Sequence, residues 1–290
     1  MQPAVASETG PKRAAGASGI LRAVFVGMAL LSAVAGVLLV AIPGSTASFF
    51  AWGLGPPPLA AVAGGFFIGA ALAFAVCSTR VDVAGRGLCL LGIVFAIPTL
   101  GYTLINKAVF DFGRWQALLW LVVFAALSLL FVVLPFVGGW RLAGTGPGLP
   151  AWARAVLFLL VVAGAGGAIA LWIDPVGSSA WLPFVPPPLG GRFLGVWSMA
   201  VAFACLWAAI RPAQEADPFV FTASALLLGA IVGTLRAFGD LEHGQRFPFL
   251  LVLVIALALA VSVHPATRRP AGPRSARSVA GTEPRGELGA

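Results

Sequence analysis

Charged residues are scarce in this sequence: Asp, Glu, Lys and Arg together make up 10% of its 290 residues. A water-soluble domain of this length needs far more polar surface to cover its core. Hydrophobic residues make up 60% of the chain and the mean hydropathy is +0.99, values that favour a lipid environment. The scarcity of charge therefore excludes an ordinary soluble protein.

Histidine and cysteine are also rare. The two histidines, His243 and His264, lie at the edges of hydrophobic segments, so neither is placed to be an axial haem ligand inside a membrane. Cys77, Cys89 and Cys205 are an odd number without metal-binding spacing, which argues against a disulfide framework and a zinc site. We therefore predict buried thiols, no metal and no cofactor.

The familiar signatures of catalysis and ion coupling are missing as well. The sequence contains no phosphate-binding loop, no metal-binding histidine pair and no serine nucleophile elbow. Ion-coupled transporters usually place ionisable side chains inside the helix bundle, whereas the hydrophobic segments here carry mainly hydroxyl groups. We assign no catalytic residue, and both enzyme and ion-coupled transporter are disfavoured.

Eight long hydrophobic segments dominate the chain. Segments of about 20 apolar residues match the roughly 30 Å hydrocarbon core of a bilayer, and alternation with period two, the mark of a membrane β-barrel, is absent. The predicted fold class is therefore an all-α integral membrane protein with eight transmembrane helices. The segments are approximately 20–42, 59–78, 87–106, 116–138, 154–173, 189–210, 218–237 and 247–264.

An internal repeat divides the eight segments into two units. Short motifs of the first half recur in the same order about 130 residues later, for example the proline-rich connections before the second and sixth segments. Four segments per unit is an even number, so the sequence predicts two parallel four-helix repeats that enter the membrane from the same side. The predicted divisions are a disordered tail (1–19), the first repeat (20–138), a linker (139–153), the second repeat (154–264) and a disordered basic tail (265–290).

The basic residues predict the orientation in the membrane. With the N-terminus inside, 13 of the 18 basic residues fall on the cytoplasmic side and 5 on the other, which favours a plasma-membrane protein with both termini in the cytoplasm. The net charge of +8 is thus explained by topology and not by nucleic-acid binding. Tryptophans are expected at both interfaces, with Trp52, Trp115 and Trp181 outside and Trp140 and Trp152 inside.

Small residues four positions apart predict where helices pack closely. Ala61 and Gly65 form such a pair in the second segment, and Gly191 and Gly195 form one in the sixth. Small side chains let helix backbones approach each other in lipid. We expect these contacts to lie within each four-helix unit. Pro98 is expected to kink the third segment.

A group of polar residues on the predicted outer face is the candidate ligand site. Arg192, one turn inside the sixth segment, is expected to snorkel to lipid headgroups or to pair with an acid such as Asp174 or Asp240. Alternatively, the arginines line a pocket for a phosphate or carboxylate, or the acids and the histidine form a catalytic or metal site. The candidate residues are Arg192, Arg236, Asp174, Asp240, Glu242 and His243.

The stretch Pro187 to Gly195, which reads PPLGGRFLG, the Arg-Ala-Val starts of both units and the proline-rich loops resemble uncharacterised multi-pass membrane proteins of high-GC actinobacteria. The resemblance implies no activity. The functional hypothesis is a non-enzymatic binding or complex-forming subunit. The alternatives are a transporter or flippase for an anionic or amphipathic substrate and an enzyme that acts on lipid-linked substrates at the outer face. The expected partners are membrane lipid, bound in part by the arginine-rich tail, and proteins of a membrane complex.

Overall fold

A computed structural model describes residues 9–137, 147–241 and 243–267 of the chain. The described residues form helices joined by short connections, and they contain no β-strand beyond one isolated bridge between Gly148 and Pro212. Three short 3-10 turns, 43–45, 177–181 and 237–239, lie in the connections. The helices are α1 (Thr9–Ala41), α2 (Thr46–Phe49), α3 (Pro57–Ser78), α4 (Val81–Ile105), α5 (Trp115–Val137), α6 (Ala151–Ile173), α7 (Pro188–Ile210), α8 (Ala213–Arg236) and α9 (His243–Thr267).

Eight of these helices are long and apolar enough to cross a membrane, and only the four-residue α2 is not. Helices also satisfy their own backbone hydrogen bonds, as the bilayer interior requires. The prediction of an all-α membrane protein with eight spanning helices is confirmed, and the chain is a multi-pass membrane protein.

Several helices extend beyond the predicted hydrophobic segments. The helix α1 begins at Thr9, inside the stretch predicted to be a disordered tail, and α8 begins at Ala213 instead of residue 218. Hydropathy locates the part of a helix that lies in lipid, whereas the helix itself continues into polar residues at its ends. Residues 1–8, 138–146 and 268–290 lie outside the described residues, and they include most of the predicted linker (139–153) and of the predicted basic tail (265–290).

The spanning helices run alternately up and down. We call the end of the bundle with the start of α1 and the end of α9 the proximal end, and the opposite end the distal end. The helices α3, α7 and α8 form the buried centre, and α1, α4, α5, α6 and α9 surround them. In a tandem repeat, α1 and α3 correspond to α6 and α7, and these two pairs pack to a similar extent. The contact between α3 and α8 would correspond to the contact between α7 and α4, but α3 packs far more closely on α8 than α4 does on α7. The tandem repeat therefore stays a prediction.

The closest helix contact joins α3 to α8, across the two predicted repeats. A Cβ atom added to Gly65 would overlap the carbonyl oxygen of Gly229, so the two backbones are in direct contact. The expectation that Ala61 and Gly65 pack within their own repeat is therefore wrong. Gly195 does face α6 of its own repeat, and Gly191 faces Pro175 in the connection just after α6. Hydropathy and spacing identify a small-residue face but not the helix that covers it.

Pro98 lies within α4, which continues on both sides of it from Val81 to Ile105. The proline ring removes one backbone donor from the helix. Two nearby hydroxyls bond to the backbone one turn back, Thr99 to the Phe95 carbonyl at 2.7 Å and Thr103 to the Thr99 carbonyl at 2.8 Å. The helix is continuous across the proline, and the kink stays a prediction.

Candidate functional site

An apolar crevice lies between α1 and α5 in the distal half of the bundle. The helix α1 packs along α3 and α5 packs along α4, while α1 and α5 touch each other only sparsely. The free volume of the space between them is about 200 Å³. Side chains of α1, α3, α4, α5 and α7 line this space, which we call the α1–α5 crevice.

The crevice opens sideways, onto the surface of the bundle that lipid would cover. Leu31, Val34 and Leu119 line it and are themselves exposed. Nearly all of its wall is hydrocarbon or aromatic, and Ser32 and Gln116 are the polar exceptions apart from tryptophan indoles. Such a wall favours an apolar occupant over water.

Aromatic rings form the rear wall of the crevice. The Trp197 ring of α7 lies 4.6 Å from Phe95 and 5.1 Å from Phe67, measured between centroids. On α5, the Trp120 and Phe124 centroids are 4.4 Å apart. Each aromatic pair at such a separation contributes about 0.5–1.5 kcal/mol beyond its burial. The interlocked rings hold the wall in place and keep the crevice from collapsing.

The connection between α1 and α3 folds into the bundle and closes the distal end of the crevice. Phe50, Trp52 and Leu54 are buried, and the Leu54 amide donates to the Thr46 hydroxyl at 3.1 Å. We call residues 50–54 the distal plug. The Trp52 ring lies 5.1 Å from the Trp120 ring, deep in the aromatic cluster.

The predicted tryptophan belts are therefore only partly correct. Trp52 is 3% exposed, so its prediction as an interfacial residue is wrong. Trp115 and Trp152 are exposed, as belt residues are. Trp140 and the side chain of Trp181 lie outside the described residues. The uncharged connection had no sequence feature to show that it folds inward.

Two polar side chains hold the distal lip of the crevice. The Arg114 Nη2 atom donates to the Phe50 carbonyl at 3.3 Å, and the Gln116 Nε2 atom donates to the Ser48 carbonyl at 3.0 Å. Both residues thus tie the start of α5 to the connection that follows α1. Arg114 is half-buried and lies directly beside Trp115 and Gln116, which line the crevice.

A second cavity adjoins the crevice further along the bundle. It is narrow, with a free volume of about 40 Å³, and it shares four wall residues with the crevice: Met28, Phe74, Phe95 and Trp197. It continues past the middle of the bundle to Cys77, whose Sγ atom lies 3.5 Å from the Thr222 hydroxyl. The two cavities together follow α5 from Trp115 to Phe131.

The structure places two of the predicted outer-face residues in separate local contacts. The Arg192 Nη1 atom donates to the Asn106 Oδ1 atom at 3.3 Å, which joins α7 to the end of α4. Asp174 accepts a hydrogen bond from the Gly177 amide at 2.9 Å and so caps the turn after α6. Asn106, and neither Asp174 nor Asp240, is the described partner of Arg192.

The other predicted residues lie around the turn between α8 and α9. Arg236 and Asp240 are exposed, and the Asp240 amide donates to the Ala237 carbonyl at 2.8 Å. Glu242 and the side chain of His243 lie outside the described residues. No described contact links Arg192 with Arg236, Asp174 or Asp240, and the ligand site built from them stays a prediction.

The proximal end carries ion pairs that the sequence analysis did not single out. The Arg211 Nε atom lies 2.6 Å from the Glu215 Oε2 atom, and the guanidinium stacks 5.3 Å from the Trp207 ring centre. Asp217 contacts both the His264 ring at 3.4 Å and the Thr267 hydroxyl at 2.8 Å. These contacts join α7, α8 and α9 where they leave the membrane.

The sequence indicates the crevice only weakly, through the spacing of aromatic residues on two helices. Trp120 and Phe124 on α5, and Phe193 and Trp197 on α7, are each four residues apart and therefore lie on one helix face. That spacing indicates an aromatic face on each helix, but it does not indicate that the faces meet or that a gap remains beside them.

Comparisons of the chain with family models, with curated proteins and with solved structures gave no match. The candidate site accordingly rests on the geometry described above.

Proposed function

We propose that this multi-pass membrane protein is a non-enzymatic lipid-binding protein that holds one hydrocarbon chain in the α1–α5 crevice. The observation that supports this is a long apolar space, open toward lipid and backed by packed aromatic rings. Contact with the aromatic rings stabilises a hydrocarbon chain there, and the chain needs none of the hydrogen-bond partners that the wall lacks. The bilayer supplies such chains at high concentration.

The proposed setting is the plasma membrane, with both termini in the cytoplasm and the distal end outside. The excess of basic residues at the proximal end and in the two tails supports this orientation. On this basis the crevice opens into the outer leaflet. Partner proteins in a membrane complex belong to the same proposal, since α1, α5, α6 and α9 expose apolar faces around the bundle.

Val123 and its neighbour Val122 offer a matched pair of substitutions for the test. Val123 lines the crevice and is partly buried, whereas Val122 is exposed and does not line it. In vesicles containing a phospholipid with a photoreactive diazirine in its acyl chain, the native protein should be labelled on Ser32 and Ala35, which face the crevice.

Val123→Phe should lower the labelling of Ser32 and Ala35 about tenfold, equivalent to about 1.4 kcal/mol of binding, because the larger ring occupies the chain's path. Val122→Phe should leave it unchanged. Labelling that is equally strong in both variants, or that is confined to the exposed faces of α1 and α5, would contradict the proposal.

A transporter or flippase for an amphipathic lipid is the second candidate. The observation that favours it is the adjoining cavity, which extends the apolar path beyond the middle of the bundle toward the proximal half. Vesicles with a fluorescent lipid in one leaflet distinguish the two functions. A binding protein retains the lipid in that leaflet, and a transporter moves it to the other one.

A further inference from the structure

We propose that the α1–α5 crevice binds the ring of an isoprenoid quinone. The Ser32 hydroxyl donates a hydrogen bond to a carbonyl oxygen of the ring, and the isoprenoid tail leaves the crevice sideways into lipid. This inference rests on the proposed lipid-binding function and specifies the class of ligand. It depends on a polar side chain that lines the crevice itself.

Ser32 carries a hydroxyl without a described hydrogen-bond partner in an otherwise apolar wall. The residue lines the crevice and is only 2% exposed, and no described residue bonds to its side chain. Serine and threonine hydroxyls inside helices can donate to the carbonyl one turn back, as those of Ser198 and Thr222 do at 3.2 and 2.7 Å. A buried donor normally has an acceptor, because leaving it unpaired is costly. The Ser32 hydroxyl therefore indicates an acceptor on the ligand that occupies the crevice.

The surroundings of Ser32 favour a neutral ligand oxygen over a water molecule or a charged group. A buried water needs about two to four polar partners. Besides Ser32, the wall offers only tryptophan indoles and Gln116, which donates to the Ser48 carbonyl at the distal lip. None of the described residues that line the crevice is charged, so a charged headgroup would lose its hydration there without a counter-ion. The acceptor therefore belongs to a neutral ligand.

Ser32 lies too deep in the membrane for the polar groups of a phospholipid. The spanning part of α1 is Gly16–Ala41, and Ser32 is within about 5 Å of its midpoint at 1.5 Å per residue. Phospholipid headgroups stay at the membrane surface, about 15 Å from the middle of the hydrocarbon core. A phospholipid would therefore place only its hydrocarbon chain beside Ser32. A neutral quinone ring enters the hydrocarbon core and brings a carbonyl oxygen to this depth.

The aromatic wall and the free volume fit a flat ring. The rings of Trp120, Phe124 and Trp197 line the same crevice as Ser32. Aromatic rings favour stacked or edge-to-face contact with another flat conjugated ring. The free volume is about 200 Å³ in the crevice but only about 40 Å³ in the adjoining cavity, so the ring belongs in the crevice. At the mouth, the exposed Leu31 leaves the tail a lateral path into lipid.

The test measures ligand binding to the purified full-length protein by native mass spectrometry. Three probes are added singly and in competition: a naphthoquinone with an isoprenoid tail, the naphthalene with the same tail but no carbonyl, and a diacylglycerol. The quinone should bind about tenfold more tightly than the naphthalene, because it alone of the two accepts a hydrogen bond from Ser32. It should also outcompete the diacylglycerol, a neutral lipid that has carbonyl groups but no flat ring.

Ser32→Ala removes the donor and leaves the shape of the crevice nearly unchanged. It should abolish the preference for the quinone over the naphthalene while binding of the naphthalene persists. Ser128→Ala is the matched control, because the Ser128 hydroxyl is also buried without a described partner but does not line the crevice. An unchanged preference in Ser32→Ala, an equal loss in Ser128→Ala, or tighter binding of the diacylglycerol would overturn the inference.

Failure of the proposed lipid-binding function would look different. If none of the three probes binds, or if Val123→Phe leaves the binding of the naphthalene unchanged, then the crevice does not hold an apolar ligand. If the quinone and the naphthalene bind equally and Val123→Phe weakens both, the crevice holds an apolar ligand but Ser32 does not select it.

Discussion

Arg211 and Glu215 form the least exposed ion pair among the described residues. Their side chains are 18% and 5% exposed, against 53% and 64% for the pair of Arg22 with Asp82. Both acids lie in the first turn of their helices, α8 and α4, and both bind an arginine. The two pairs thus differ mainly in burial, which decides how much each contributes to stability.

We expect Glu215→Gln to destabilise the protein by about 3 kcal/mol, since it leaves the Arg211 charge in a buried position without its carboxylate. Asp82→Asn is the control and should cost about 0–1 kcal/mol, because water screens the exposed pair. Thermal unfolding in detergent, followed by tryptophan fluorescence, measures both. Equal melting temperatures for the two variants would show that burial does not strengthen the Arg211–Glu215 pair.

At the scale of single residues, the sequence predicted the burial of side chains better than it predicted their contact partners. It correctly predicted three buried cysteines. It proposed Asp174 or Asp240 as partners of Arg192, whereas Asn106, 86 positions away in the chain, accepts its hydrogen bond. Spacing within a helix indicates a shared face, but a partner on another helix depends on how the helices cross.

The contact between α3 and α8 is the closest pairing of helices in the described structure, and it depends on small residues on both sides. Ala61, Gly65 and Gly69 follow one another at four-residue intervals on α3, and Ala225, Gly229 and Gly233 do so on α8. Without side chains between them the two backbones touch, and dispersion contacts extend along the whole face. This contact joins the two predicted repeats into one bundle.

Gly65→Val should therefore destabilise the fold by at least about 3 kcal/mol, because the new side chain must push apart two helices that are in backbone contact. Gly27→Val is the matched control on α1, where nothing lies within 4 Å of an added Cβ atom. Size-exclusion chromatography after heating in detergent reports the fraction that stays folded. Similar losses in both variants would contradict the packing described for α3 and α8.

At the scale of helices, periodicity and hydropathy predicted the existence of all eight spanning helices. They did not predict the order of packing, because every helix in a membrane protein is apolar and the pattern that distinguishes a buried face in water is weak here. The inward fold of the distal plug could not be predicted either. Phe50, Trp52 and Leu54 lie in a connection, where no helical spacing indicates which side chains are buried.

For the whole molecule, the distribution of basic residues makes the orientation testable. A green fluorescent protein fused after Arg269 should fluoresce and alkaline phosphatase at that position should be inactive, because the positive-inside rule favours a cytoplasmic location for the proximal end. Fusions after Val109, in the distal connection between α4 and α5, should behave in the opposite way. Active phosphatase after Arg269 would reverse the proposed orientation.

The crevice is a property of the whole molecule and could not be predicted from any one segment. It exists because α1 packs on α3 and α5 packs on α4, while nothing draws α1 and α5 together. Each of the four helices has an ordinary apolar sequence. The gap depends on their arrangement and on the aromatic wall behind it, neither of which a single hydropathy profile contains.

An electron cryo-microscopy map of the protein in nanodiscs made from its native membrane would test the central claim most directly. The account predicts an elongated density in the α1–α5 crevice, running from beside Trp115 toward Met28, in contact with the rings of Trp120 and Trp197. A map of similar quality in which α1 and α5 meet and no such density separates them would contradict it.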